Sequence, residues 1–143
     1  MRVALEEHFI LPALLEYLAK GMPRASRVSY DRLKLSDFGE ERLAAMDGGG
    51  VSVAVLSVSG PGVQVERDAN LAVKLAREAK YLLAAEVQRR TDRYAGFAHL
   101  AIQGPSAAAN ELERCVRDLG FVGSMINGQT KGVYLDDPRH DPF

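Results

Sequence analysis

Cysteine occurs once in this sequence, at Cys115. One thiol forms neither an internal disulfide nor a thiolate metal cluster. That excludes a disulfide-stapled secreted scaffold and fits a reducing, cytoplasmic compartment. Net charge is also small: 18 Lys and Arg stand against 19 Asp and Glu, a formal charge of -1. No basic surface is therefore expected for nucleic acid or an anionic membrane. No apolar run approaches the ~20 residues that cross a bilayer. Glu6 and Glu7 stand where the apolar core of a secretory signal would run. What is present is a globular balance, 47% hydrophobic and 26% charged over 143 residues, which argues against disorder and suits one ordinary domain.

Two periodicities alternate along the chain. RVALEEH (2–8) is short, apolar and partly β-branched and predicts a strand; LPALLEYLAK (11–20) predicts a helix with Pro12 in its first turn. Residues 21–36 carry no clean period and predict a long basic loop. Asp37 with Glu40 resembles a capping box opening a helix through EERLAAMD, which GGG at 48–50 ends. VSVAVLSV (51–58) is a second strand and SGPGVQ (59–64) a turn-rich loop. Leu71, Leu75, Ala79 and Leu82 form one apolar stripe of a helix over about 66–90. YAGFAHLAI (94–102), a helix over 104–120 and FVGSMIN (121–127) follow, then an irregular tail. Strands alternating with helices imply right-handed βαβ units and a parallel sheet. Two architectures satisfy that order: an open doubly wound sheet, or the N-terminal half of a (β/α)8 barrel, which needs about 250 residues when whole.

The chemistry gathers at strand ends, where sites form in parallel α/β folds. Residues i and i+2 of a strand share a face, so Glu6 and His8 point one way and Glu7 the other. A carboxylate and an imidazole on one face suit a divalent cation, zinc or manganese, which takes four to six donors. The same pair also reads as a solvated strand end beside a hydrogen-bonded rim histidine. His99 closes the third strand and reads as a satisfied rim histidine, and His140 as part of a solvated charged loop. SGPGVQ lacks the P-loop lysine and the dinucleotide glycine spacing, so Ser57, Ser59 and Gln64 read as polar contacts lining a mouth. Asn127 follows the fourth strand, either as a hydrogen-bonding group at that mouth or as an ordinary Asn-Gly turn. Cys115 is in phase with Leu112 and Leu119 and reads as a buried structural thiol. Arg89, Arg90, Asp92 and Arg93 read as a helix C-terminus.

VALEEHF, VLSVSGPGVQ, DRYAGFAHLAIQGP and ELERCVRDLGFVGSMINGQTKGVYLDDPRHDPF stand in one order along the chain. In that order they resemble the amidohydrolase-related metal-dependent decarboxylases, in particular the dihydroxybenzoate (γ-resorcylate) decarboxylases, with aminocarboxymuconate semialdehyde decarboxylase as a wider relative. The resemblance covers essentially all 143 residues but only the first half of such an enzyme. It implies an α/β fold in which residues 1–143 are a single partial domain, half of a (β/α)8 barrel with about four parallel strands. It implies Glu6 and His8 as the first two metal ligands and Asn127 as a substrate-binding residue. The remaining ligands, a second catalytic histidine and an arginine come later in the family's chain, so no residue here takes those roles. The implied reaction is loss of carbon dioxide from a small aromatic, hydroxybenzoate-like acid after protonation of its ring carbon. Metal-dependent hydrolysis of an amide or lactone on the same scaffold is the alternative, and a fragment without its own catalysis is a third reading. Lys80 and Tyr81, where relatives tend to have Asn-Asp, the extra glycine of MDGGGV and His140 in place of an aromatic depart from the pattern. Four strands leave two sheet edges open, so a chain ending at Phe143 is expected to form a homo-oligomer or to need its other half.

Overall fold

The computed structural model describes residues 1–20 and 34–143, so most of the basic loop expected over 21–36 lies outside the described residues. The strand β1 (Val3–Phe9) leads into α1 (Pro12–Ala19), whose Pro12 stands in the first turn, where its missing N–H costs nothing. Next come α2 (Glu40–Gly48), β2 (Val53–Val58), a 3-10 turn at Gly62–Val65, and α3 (Ala69–Arg89). The strand β3 (Tyr94–Ala98), α4 (Pro105–Leu119) and the two-residue β4 (Gly123–Ser124) complete the main sheet.

The four strands are parallel in the order β1-β2-β3-β4, as the βαβ rhythm requires. Register sorts their side chains. Ala54 pairs with Tyr94 and Leu56 with Gly96, and these face the helices: a Cβ on Gly96 would meet Leu83 of α3 at 3.0 Å and the Phe121 ring at 2.9 Å. Phe9, Leu56, Leu83, Tyr94 and Phe121 are buried there, each stabilising the fold by about 1.5–3 kcal/mol. Phe38 bridges Phe9 and Tyr94 with ring centroids 5.4 and 6.3 Å away, and its carbonyl accepts the Tyr94 hydroxyl at 2.8 Å. On the opposite face Ala95 and Phe97 stay half-buried, and along β1 Val3 and Leu5 are exposed.

Several boundaries differ from the sequence expectation. The start of α2 is capped by Gly39, with no capping box. Asp37 still anchors that end, accepting from Gly39 N–H and Arg42 N–H at 2.9 Å each. The 3-10 turn displaces the start of α3 to Ala69, where Asp68 caps it by accepting from Asn70 and Leu71 N–H. The third strand ends at Ala98 because His99 leaves the ladder to receive a hydrogen bond from Val63 N–H at 2.9 Å. The fourth is short because Phe121 is still tied to α4 through Cys115 O. Gly123 holds a φ of +152° against the Phe97 ring, a conformation that favours glycine. The tail carries a small antiparallel hairpin, β5 (Gln129–Thr130) with β6 (Val133–Tyr134), and a 3-10 turn at Pro138–His140.

Gly62 has φ +55°, and a Cβ there would lie 2.3 Å from the His99 ring. Gly62→Ala should therefore cost about 2–5 kcal/mol, from left-handed strain and overpacking together. Gly48→Ala, with no atom within 4 Å, should shift stability by less than about 1 kcal/mol. Urea midpoints of the two variants check this, and equal midpoints would refute the His99 contact.

Candidate active site

Parallel strands deliver their C-terminal ends to one side of the sheet, and the polar residues of interest collect there. Between Ala4 and Glu7 β1 advances three residues while β2 advances only from Ala54 to Leu56, so β1 carries one extra residue as a bulge. The bulge ends before His8, which stays in register with Ser57. His8 Nε2 lies 3.9 Å from Glu6 Oε1, so the two side chains converge as alternation predicts. The His8 and Glu6 side chains are 34% and 74% exposed, open to a ligand. Two donors of one ion, each at ~2.0–2.2 Å, lie roughly 3.0–3.5 Å apart, so a closing of about half an ångström would bring both onto one cation.

Two residues fix the histidine. Ser57, fully buried, places Oγ 2.9 Å from His8 Nδ1 and 3.4 Å from the Glu7 carbonyl. In the Nδ1–H tautomer Ser57 Oγ accepts from His8 and donates to Glu7 O, and the Nε2 lone pair then faces Glu6. Arg42 Nη2 donates to His8 O at 2.9 Å and Nε to Asp37 O at 2.6 Å, tying the end of β1 to the start of α2. Neither role shows in the sequence, because both depend on which residue of another element lies opposite. Among the described residues no group of three or more His, Cys, Asp or Glu could hold a metal ion, and Glu6 and His8 stand as a pair without a third such residue.

Asn127 lies on the loop after β4, packed over the loop after β2: a Cβ on Gly60 would come within 3.0 Å of Asn127 Oδ1. Its Nδ2 is buried, with no hydrogen-bond partner among the described residues. The other histidines stand apart from the pair. His99 is buried and accepts from Val63 N–H, and burial, with Lys80 nearby, pushes its pKa down to about 4. His140 is not solvated as the sequence suggested: the 3-10 turn buries it, with neither ring nitrogen hydrogen-bonded among the described residues. Cys115 is fully buried, and burial raises its pKa. Arg89 and Arg90 pair with Glu86, and Arg93 with Asp47, all on the opposite side from the mouth.

With this geometry in view, the profile of the amidohydrolase family matches residues 8–143. The chain belongs to the amidohydrolase family. It is 40% identical to a γ-resorcylate decarboxylase of Rhizobium radiobacter over 148 aligned residues, covering 99% of this chain and 45% of that one. A solved 2,6-dihydroxybenzoate decarboxylase in complex with 2,6-dihydroxybenzoate superposes with a TM-score of 0.87 at 39% identity, over 99% of this chain and 45% of the other. A 5-carboxyvanillate decarboxylase from Novosphingobium aromaticivorans, complexed with manganese, gives a TM-score of 0.87 at 34% identity, over 99% and 46%. This amidohydrolase chain thus spans about 45% of the length of the decarboxylases it matches, and its four strands are the first half of a (β/α)8 barrel.

The His99 geometry carries a pH dependence. Its folded pKa of about 4 lies below the ordinary 6.5, so the unfolded chain binds more protons between those values. Stability contributed by neutral His99 is full above pH 6.5 and is lost as pH falls toward 4. Urea midpoints measured across that window should fall less steeply for His99→Gln, which can still accept from Val63 N–H; equal slopes would refute the assignment.

Proposed function

We propose that residues 1–143 are a single partial domain, the N-terminal part of a metal-dependent, non-oxidative decarboxylase of a hydroxybenzoate-like acid. The observation that carries the proposal is the Glu6–His8 pair at the end of β1, within a chain 40% identical along nearly its whole length to a γ-resorcylate decarboxylase. Glu6 and His8 hold one divalent ion, zinc or manganese, an anionic oxygen and an imidazole nitrogen suiting either. Bound there, such an ion supplies Lewis-acid charge and a template for the substrate carboxylate and its neighbouring ring hydroxyl. Ser57 holds the His8 ring in the tautomer a ligand needs, and Arg42 holds its backbone. Asn127 offers its unspent Nδ2 donor to a substrate oxygen. The proton donor and the remaining metal ligands lie outside this set of residues. A cytoplasmic setting agrees with the single buried thiol, and association into a homo-oligomer agrees with the exposed edge of β1.

In the full-length protein that carries residues 1–143, Glu6→Gln should lose its metal by elemental analysis. It should also stop releasing carbon dioxide from 2,6-dihydroxybenzoate while keeping its circular dichroism spectrum. Wild-type turnover in that variant would overturn the proposal, and hydrolysis of lactones or amides without carbon dioxide release would favour a hydrolase instead. Ser57→Ala should weaken manganese binding on the order of ten-fold in competition with a chelator, and Ser57→Thr should restore it. Unchanged affinity in Ser57→Ala would remove Ser57 from the site.

A further inference from the structure

Gln64 is the polar side chain of the mouth that the metal pair does not use. It lies in the 3-10 turn after β2 and is 3% exposed, so it is not the open contact that its loop position suggested. Both ends of its amide are committed to the loop after β4. Oε1 accepts from Asn127 N–H at 2.7 Å. Nε2 donates to Asn127 O at 2.6 Å and to Thr130 Oγ1 at 2.8 Å, with Gln129 O at 3.3 Å. One side-chain amide therefore holds both backbone polar groups of one residue, as a neighbouring strand would.

That residue is Asn127, whose side chain rests on Gly60 and whose Nδ2 is buried without a partner among the described residues. A donor whose backbone is clamped at both ends, and for which the described residues supply no acceptor, is preorganised for an acceptor from outside. We propose that Gln64 is a positioning residue, acting through the Asn127 backbone to aim Asn127 Nδ2 at an oxygen of the bound aromatic acid. The inference rests on the substrate role given to Asn127 above. It explains why the position needs both a donor and an acceptor. A carboxylate of the same shape would keep the bond from Asn127 N–H, and the Thr130 hydroxyl can turn its proton toward it, but it would face Asn127 O with no proton to give.

The test is a double-mutant cycle in the full-length metal-loaded protein, with 2,6-dihydroxybenzoate as substrate and metal content and melting temperature recorded for each variant. Gln64→Glu should lower kcat/KM on the order of ten-fold with metal content unchanged. In the Asn127→Ala background the same substitution should have almost no further effect, because its route to the substrate is gone. Additive losses would mean that Gln64 serves only stability and would overturn the proposal. Wild-type kinetics in Asn127→Ala alone would instead overturn the substrate role of Asn127, and the Gln64 proposal with it. Should Gln64→Glu fail to fold, Gln64→Asn takes its place. One methylene shorter, it keeps a buried amide but cannot span both Asn127 groups, and the same masking is expected.

Discussion

The constraint on which the rest of the structure depends is the common direction of the four strands. Parallel pairing brings every C-terminal strand end to one side, and the helix returning each strand to the start covers one face of the sheet. That single choice brings the loops after β1, β2 and β4 together. It also sets His8 beside Ser57, since register in a parallel ladder decides which side chains are neighbours across strands. The bulge in β1 is tolerable because it closes before Glu7: from Glu7 onward the ladder runs evenly to Phe9 and Val58. A shift of one residue further along would turn the imidazole to the helix side and bring Glu7 to the mouth.

How much of this was legible in the sequence depended on how local each signal was. The first two strands and the long helix were legible because alternation and an apolar stripe are properties of a short window, and the Glu6–His8 pairing followed from i, i+2 spacing alone. The third and fourth strands were overestimated for a common reason. YAGFAHLAI and FVGSMIN are apolar enough to be strands throughout, but Leu100, Ile102 and Phe121 are buried by packing against helices and loops, not by ladder pairing. Ser57 and Gln64 were legible only as polar contacts lining a mouth, and Arg42 only as one charge in a helix. Their roles arise from partners 49, 63 and 34 positions away, and no window of the sequence contains both ends.

Lys80 and Tyr81, expected from the resemblance to depart from the family pattern, meet in one network. Lys80 is 4% exposed and reaches Glu111 of α4 at 2.7 Å. Glu111 is gripped on both oxygens by Arg114, whose guanidinium lies 5.7 Å from the centre of the Tyr81 ring. The Arg114 hydrogen bonds, and Lys80 beside them, hold the Glu111 carboxyl down at about 2. The network ties α3 to α4 in the outer layer, so this pair of departures concerns how two helices dock. A buried lysine is costly unless paired, which makes Lys80 and Glu111 a unit: neither is a neutral exchange while the other remains.

The incomplete donor set and the uncovered β1 edge are one deficit seen twice. An ion at Glu6 and His8 asks for at least two more donors, and the described residues bring no third to the pair. Along the same strand Leu5 is 67% exposed and, among the described residues, the β1 backbone has a strand neighbour only on the β2 side. Whatever pairs with β1 and covers the inner face therefore arrives where further donors are required. If the proposed ion is held at Glu6 and His8, closing the sheet would bury apolar surface and add donors together, which would couple metal affinity to the stability of that closure.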